Sequence, residues 1–432
     1  MKKCIILLVI LCAIGTLAFA GGGSGQRGDS GDRITIQFWN SWTGSDGQTL
    51  IEMVEKFNRE NPWGITVNMD ISGSTGDRLA TSLPAGSACE IFLGGTNDKY
   101  KYQSYLHDIN DIWSVTDLKE SDFMPSYLST GKIGNDLYLM PFQHSAYYLY
   151  YNRELMRGAG LDPDKPPMSF DEWTTMARRI TNERNYVYGS GIYKAFGAVQ
   201  SHLMEMMAGP AITEPQPGKY KAMFMEKRED YARYLRWEKA LFDSGDNPLE
   251  DGLDTMFRAN QIGLLVNGPW LAAGAIDSEV DFEMTKIFGH EPMGDVASFF
   301  FTNSATPEAK LAAQRFVQWW YTGLPGTSPT VTGAGLWSLR IGFPGFYLPL
   351  VNSPEYQRNQ RLRNLAQKDP DAIVQITCPD SFKGFQDING QVISPLSQGV
   401  IYGDDIYQAL QRAQTEAERI IIHYHGEENL IR

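Results

Sequence analysis

A tryptophan stands at a predicted bend in the stretch NGPWLAAG, residues 267–274. The apolar run 262–266 predicts a strand, and the Asn-Gly and Gly-Pro dipeptides that follow it predict a sharp turn. Trp270 therefore lies on the turn rather than inside the strand. An indole in such a place can present one flat apolar face to a neighbouring cleft; the alternative is a tryptophan packed beneath its loop.

Motifs for catalysis and metal binding are absent from the sequence. It has no GxSxG, HExxH or GxxxxGK[ST] pattern. A glycosidase needs two carboxylates about 5 to 9.5 Å apart, and the pattern of the 51 acidic residues singles out no such pair. The acidic stretch 243–254 misses the spacing of a calcium loop, and we expect the histidines of HYH, 423–425, to be solvated. The sequence predicts neither an enzyme nor a cofactor site.

The length and charge of the chain limit its organisation and its partners. With 432 residues, it exceeds what one hydrophobic core usually supports, so two domains are expected. The net charge of −13 argues against nucleic acid or an anionic membrane surface as a partner.

The N-terminal residues have the pattern of an export signal. Two lysines precede an apolar stretch that ends in Ala-Phe-Ala, which predicts a signal peptide over 1–20, cleaved after Ala20, and a periplasmic or otherwise extracytoplasmic protein. The Gly/Ser-rich residues 21–32 predict a flexible linker. Cys89 and Cys378 remain after cleavage, either as free buried thiols or as one disulfide.

Strands and helices alternate from residue 33 onward, which predicts an α/β fold. Apolar runs that end in Gly- or Asn-rich loops predict strands at 34–38, 65–71 and 90–93. Helix starts are indicated by a capping box, in which Ser169 caps the helix and Glu172 reaches back to the cap's amide, and by Thr306-Pro307. A last helix is predicted at about 406–422.

Six segments, in chain order, resemble the extracellular sugar-binding proteins of ABC importers, most closely their maltose-binding branch. The resemblance covers about residues 33–422, with Cys89 standing where the family usually has a proline. The segments are ITIQFWNSWTG, LPAGSACEIFLGG, YLMPFQHSAYYLYYNRELMRGAGLDPDKPPMSFDEW, FRANQIGLLVNGPW, TNSATPEAKLAAQRFVQWW and SQGVIYGDDIYQALQRAQTEAERI.

This resemblance implies a two-lobed periplasmic-binding-protein fold of type II, its lobes joined by two or three crossovers and closing on a ligand by a hinge motion. It implies an N-lobe of residues 33–143 and 297–335 and a C-lobe of residues 144–296 and 336–432. The partners it implies are a carbohydrate and the membrane subunits of an ABC permease, and we expect the protein to be a monomer.

The resemblance also implies which residues bind. Family members often stack a sugar on the tryptophan that corresponds to Trp270. Since ligands of open α/β sheets bind beyond the carboxyl ends of strands, the loops 40–44, 73–77 and 94–98 after the first three strands should reach the cleft from one lobe, and the stretch 193–200 from the other. Their candidates are Asn40, Trp42, Thr43, Asn97 and Asp98. Packing for Trp42 and turn chemistry for Asn97 and Asp98 are the alternatives.

Four further candidates lie later in the chain. His144 and Ser145 fall on the strand that crosses between lobes, and only one of them can face the cleft because strand neighbours alternate. Trp337 is a candidate second aromatic platform and Phe385 a third, with core packing as the alternative for each.

A sugar ring offers apolar C–H faces to aromatic side chains and hydroxyls to short polar ones. The predicted cleft loops supply both kinds of group and few acids, which favours a neutral polyol. The same fold could instead bind a polyamine, which needs several carboxylates around it, and an exported glycoside hydrolase is the remaining alternative.

Overall fold

The computed structural model describes residues 33–290, 294–365, 378–379 and 381–432. The predicted signal peptide and linker, residues 1–32, lie outside the described residues. Strands are β1 (Ile34–Trp39), β2 (Ile65–Asp70), β3 (Ile91–Gly94), β4 (Lys132–Ile133), β5 (Asp136–Leu137), β6 (Leu139–Ala146), β7 (Tyr148–Asn152), β8 (Tyr188–Gly191), β9 (Ile212–Gln216), β10 (Lys219–Ala222), β11 (Ile262–Asn267), β12 (Phe282–Thr285) and β13 (Gly294–Phe301).

The α-helices are α1 (Ser45–Glu60), α2 (Thr75–Ser82), α3 (Asp98–Tyr102), α4 (Ile112–Val115), α5 (Pro125–Ser129), α6 (Arg153–Gly158), α7 (Phe170–Ile180), α8 (Gly197–Ala208), α9 (Arg228–Asp243), α10 (Leu253–Arg258), α11 (Leu271–Asp277), α12 (Pro307–Thr322), α13 (Gly333–Leu336), α14 (Leu348–Val351), α15 (Pro354–Arg358), α16 (Gln360–Leu365), α17 (Phe385–Asp387), α18 (Ser394–Ile401) and α19 (Ile406–His425). Trp337–Ile341 and Ile388–Ile393 are π-helical. Short 3₁₀ turns lie at Gln103–Tyr105, Glu120–Asp122, Glu183–Asn185, Ile287–Gly289, Pro329–Val331 and Glu427–Asn429.

Two sheets divide the chain into two lobes. The first has the order β2-β1-β3-β13-β6, in which β1 runs parallel to β2 and β3 while β13 is antiparallel to both of its neighbours. The second has the order β12-β7-β11-β8, with β8 parallel to β11. The predicted α/β class is confirmed. No helix among the described residues is long and apolar enough to cross a membrane.

Each lobe has its own apolar core, in which helix side chains pack against the sheet. In the first lobe, Phe38 of β1 packs against Phe316 of α12, with ring centroids 5.7 Å apart. In the second, Trp173 of α7 is fully buried and donates its indole N–H to Ser190 at 3.0 Å. Cys89 and Cys378 are buried and unbonded, one in each lobe.

The predicted caps form with one difference. Ser169 Oγ accepts from the amide of Glu172 at 3.2 Å, and Thr306 caps α12 in the same way. Glu172 Oε2, however, accepts from the amide of Met168 at 2.7 Å, one residue before the cap that was expected to donate. The backbone donor nearest to the carboxylate decides such a bond, and that is a matter of loop geometry.

The chain crosses between the lobes first at Tyr147, which separates β6 of one sheet from β7 of the other. It returns between β12 and β13. A third connection runs through α16, where Leu362 packs in the first core and Leu365 in the second.

Residues 336–362 contribute side chains to the first lobe, so the lobe boundary differs from the predicted one. The prediction placed residues 336–432 in the C-lobe, but Trp337, Phe343, Tyr347 and Tyr356 belong to the first core. Trp337 and Tyr347 contact Trp320 and Tyr321 of α12, respectively. We therefore propose that the N-lobe continues to about residue 359 and that α16 forms the third crossover.

Candidate functional site

A cavity of about 460 Å³ lies between the two lobes. Its walls come from loops after β1 and β3 on one side and from the start of α8 and the segment around α17 on the other. The residues that line it are Ser41, Trp42, Leu93, Gly94, Gly95, Tyr147, Phe196, Ala198, Ser201, Ala297, Phe385, Gln386 and Asn389. The cavity therefore occupies the position, beyond the carboxyl ends of the parallel strands, where such folds bind ligands.

Trp42 forms the aromatic part of the first-lobe wall. Its half-buried ring stacks on Trp337, with centroids 5.8 Å apart and planes at 20°, and tilts against Phe142 at 5.4 Å. Asn40 is buried, and its Oδ1 accepts from the amide of Trp42 at 3.0 Å. Asn40 thus shapes the turn that carries Trp42, while Thr43 is exposed and outside the cavity lining.

Trp337 lies behind Trp42 and does not reach the cavity. It is only 2% exposed, stacks also on Phe343 at 5.7 Å, and donates its indole N–H to Gln143 Oε1 at 2.7 Å. The expectation of a second binding platform at this position is corrected by its burial. The core-packing alternative applies, and Trp337 supports the ring that does line the cavity.

The second-lobe wall carries three aromatic rings, from Tyr147, Phe196 and Phe385. Phe196 stands edge-on to Tyr147, with centroids 5.8 Å apart. Of the neighbouring tyrosines, Tyr148, Tyr150 and Tyr151 are buried, whereas Tyr147 is half-buried and lines the cavity. Tyr147 does so because it falls between the two strands, outside either sheet.

Polar groups on this wall are short and uncharged. Ser201 Oγ donates to Asn389 Oδ1 at 2.5 Å, so the two residues hold each other beside the cavity. The first turn of α8 touches the π-helical segment at Gly197, where a Cβ atom would lie 2.0 Å from the Asn389 carbonyl oxygen. Glycine is required there because the two backbones approach so closely.

Trp270 lies next to the cavity but is not among the described residues that line it. It is the N-cap residue of α11, and its ring covers Gly268, where a Cβ atom would lie 1.9 Å from the indole. The ring meets Tyr147 edge-on at 6.0 Å and packs against the first-lobe core. The structure therefore places Trp270 as a support for Tyr147 at the junction of the lobes.

His144 is 1% exposed and packs edge-on against Tyr127 at 5.6 Å, in the first-lobe core. Burial lowers its pKa to about 4, so the imidazole is neutral at physiological pH. The expected cleft position of His144 is thus corrected to a core position. Ser145 belongs to β6, but its side chain lies outside the described part of the structure.

A second, smaller cavity of about 30 Å³ adjoins the first, with which it shares Gly95, Phe385 and Gln386. Asn97 and Asp98 line this smaller cavity rather than the main one. The remaining lining residues are Lys101, Lys383, Asp387 and Tyr424. Its two lysines and two aspartates balance in formal charge.

The main cavity differs, because none of the described residues that line it carries a charge. A buried ion needs an opposite charge or several hydrogen bonds to replace its water. Flat aromatic faces and hydroxyl or amide side chains instead suit a neutral ligand with apolar faces and hydroxyl edges. The lining of the main cavity therefore combines aromatic faces with hydroxyl and amide groups, without a charged side chain among the described residues.

The HYH motif and the acidic stretch 243–254 contain side chains with protein contacts. Among the described residues no cluster of His, Cys, Asp and Glu could hold a metal ion. Contrary to the expectation, His425 is not solvated. Its ring centroid lies 4.2 Å from that of Tyr220, and burial lowers its pKa to about 4. In the acidic stretch, Asp254 accepts from Tyr193 and from Asn267.

Several lining residues were not predicted as binding residues, namely Ser41, Tyr147, Phe196, Ser201, Gln386 and Asn389. The expected cleft stretches 40–44, 94–98 and 193–200 contain two of them, so the loops were identified although the side chains were not. The third expected loop, 73–77, does not line the cavity. Gln386 and Asn389 lie beside the predicted Phe385, which does.

The sequence matches the family model described as bacterial extracellular solute-binding protein over residues 40–322. The chain belongs to this family. The expected family, whose members are binding proteins, is confirmed, and an extracytoplasmic location agrees with its description.

Curated relatives match a smaller part of the chain. It is 28% identical over 157 residues to the sn-glycerol-3-phosphate-binding periplasmic protein UgpB of Escherichia coli K12, and equally so to UgpB of Shigella dysenteriae. These matches cover 34% of this chain and 35% of each relative. The alignment thus spans about a third of the length of the curated relatives.

Solved structures match almost the whole chain. A solute-binding protein of Thermotoga lettingae bound with α-D-tagatose has a TM-score of 0.72 at 18% identity, covering 90% of this chain and all of that one. The GacH receptor of Streptomyces glaucescens has a TM-score of 0.73 at 15% identity, covering 91% and 99%. Maltose-bound MalE3 of T. maritima has a TM-score of 0.72 at 13% identity, covering 90% and 100%. These likenesses confirm the expected two-lobed fold.

Proposed function

We propose that this protein is the substrate-binding component of an ABC importer and that it captures a sugar or short oligosaccharide between its lobes. The supporting observation is the uncharged cavity between the two lobes, lined by Trp42, Tyr147, Phe196 and Phe385 together with hydroxyl and amide side chains. Hinge closure would bring the two walls together around the ligand. The loaded protein would then dock on the membrane permease and release its ligand there.

The relatives bind different ligands according to their names, and the side chains that line the cavity discriminate between these ligands. UgpB is named for sn-glycerol 3-phosphate, an anion that needs a cationic or multiply donating site. The lining of the main cavity offers Ser41, Ser201, Gln386 and Asn389 but no lysine or arginine. The sugars bound in the solved relatives, such as tagatose and maltose, present the hydroxyl edges that these side chains can recognise.

A polyamine, which is a cation, also lacks an opposite charge in the lining of the main cavity. A polyamine needs carboxylates beside the aromatic rings, and no aspartate or glutamate is among the described lining residues of the main cavity. A glycosidase requires a pair of carboxylates at the bond, so the same lining favours binding over hydrolysis at this site.

A ligand panel tests the proposal. Thermal unfolding of the purified chain, without residues 1–20, is followed with maltose, mannobiose, D-tagatose, sn-glycerol 3-phosphate and spermidine, because a ligand of the native state raises the unfolding temperature. We expect stabilisation by one or more of the neutral sugars alone. Stabilisation only by the phosphate or by spermidine would overturn the proposal, as would release of reducing sugar from any oligosaccharide.

A further inference from the structure

A buried carboxylate lies behind the second-lobe wall of the cavity. Glu238 of α9 is fully buried. Its Oε1 accepts from Gln200 Nε2 and from the Tyr234 hydroxyl, each at 3.2 Å, and its Oε2 accepts from the Ser397 hydroxyl. All three donors are neutral, so hydrogen bonds alone replace the water that this group would have outside the protein.

The elements that pack on α9 add no opposite charge. From α8 come Gln200 and the buried His202, whose pKa burial lowers to about 4; from α18 comes Ser397. The buried residues of α19 are apolar, among them Ala409, Leu410 and Ala413. Burial raises the pKa of Glu238 to about 7, against the three hydrogen bonds that lower it.

Gln200 connects this carboxylate to the cavity. Its Nε2 also donates to the backbone carbonyl of Tyr193 at 3.0 Å. The ring of Tyr193 meets Phe196 edge-on at 5.4 Å, and Phe196 lines the cavity. The next residue along the helix, Ser201, also lines it. One buried amide group therefore joins Glu238 to both ends of the wall segment 193–201.

We propose that Glu238 is a positioning residue for the binding cavity, holding the wall segment 193–201 in place through Gln200, and that uptake of a proton by its carboxylate loosens this wall. The inference rests on the proposed function, since it concerns the wall of that same cavity. Glu238 does not line the cavity itself, so it acts only through Gln200 and the helix that carries Ser201.

The direction follows from the hydrogen bond between Gln200 and Glu238. An amide donating to a carboxylate is held more strongly than one donating to a neutral acid. The hydroxyls of Ser397 and Tyr234 can rotate to accept the new proton, whereas Gln200 Nε2 can only donate and would then donate to a neutral acid. If the wall loosens, the still-buried carboxylate loses its hydrogen bond from Gln200, which raises its pKa further. The loosened wall therefore binds the proton more tightly and is favoured as the pH falls.

Global stability should change in the opposite direction, which separates the two roles. The folded pKa of about 7 lies above the ordinary value of 4.5. The contribution of this group to the free energy of unfolding is therefore fully present below pH 4.5 and is lost as the pH rises through about 7. If Glu238 had no positioning role, protonation at low pH would stabilise the wall segment 193–201 together with the whole protein.

Amide hydrogen exchange of the ligand-free protein at pH 6 and pH 8, corrected for intrinsic rates, tests the inference. We expect the protection factors of residues 193–201 to be about fivefold lower at pH 6, while those of α7 do not fall. In Glu238→Gln the wall should exchange at both pH values as the parent does at pH 6. Tyr234→Phe removes one donor to the anion, so the midpoint of the pH transition should move upward.

The matched control is Asp243→Asn, which changes an exposed acid on the same helix and should keep the parent profile. Wall protection that rises on acidification would mean that opening exposes the carboxylate to water, and it would overturn the positioning role. So would a pH profile that Glu238→Gln leaves unchanged. Because no ligand is used, failure here is distinguishable from failure of the binding panel.

Discussion

Replacing Trp42 by alanine removes the ring that the first lobe offers to the cavity. Its buried face rests on Trp337 at 5.8 Å, so only the other face is available to a ligand. That face corresponds to about a third of the area that an aromatic side chain can bury, about 60 Å². At about 25 cal/mol per Å², the lost contact contributes about 1.5 kcal/mol to the free energy of binding. Its removal should therefore raise the Kd about tenfold.

Isothermal titration with the sugar that stabilises the protein most in the panel measures this change. Trp42→Phe keeps part of the stacking surface and should lose less affinity. The matched control is Trp113→Ala, since Trp113 is also half-buried in the first lobe but packs on Phe123 at 5.9 Å, outside the cavity lining. A Kd for Trp42→Ala within twofold of the parent, or an equal loss in the control, would refute the reasoning.

Three further changes probe the frame around the cavity. Trp337→Phe replaces the indole by a smaller ring and removes its N–H donation to Gln143, so the free energy of unfolding in urea should fall by about 1–2 kcal/mol; an unchanged midpoint would contradict this. Gly197→Ala places a Cβ atom 2.0 Å from a carbonyl oxygen and should lower both the unfolding temperature and sugar affinity, whereas Gly390→Ala, where the new atom meets nothing within 4 Å, should change neither. Burial raises the pKa of both remaining cysteine thiols, so in the native chain from residue 21 onward they should react with a disulfide reagent at pH 8 far more slowly than in guanidinium; rapid native labelling would argue against their burial.

Local features of the sequence were sufficient for the secondary structure and for the family. The alternation of strand β1, the apolar stripe of α12 and the caps at Ser169 and Thr306 depend on neighbours a few residues apart. The six resembling segments likewise predicted two lobes around a cleft.

Local features did not predict which aromatic side chains are buried and which line the cavity. Trp42, Trp270 and Trp337 all occur in loop-like stretches, yet only Trp42 lines the cavity. Trp337 lies 295 positions later in the chain and stacks beneath Trp42, and no local pattern encodes a contact between such distant residues.

The sequence by itself determined several of the strands and helices, because hydrophobic period and capping act over a few residues, and it identified the cleft loops 40–44 and 94–98. Only the tertiary structure decided which ring faces the ligand, which one supports it, and where the lobes divide. Those outcomes depend on packing between segments far apart in the chain: Tyr147 faces the gap because two sheets meet there, and Glu238 lies behind its wall because three helices close around it.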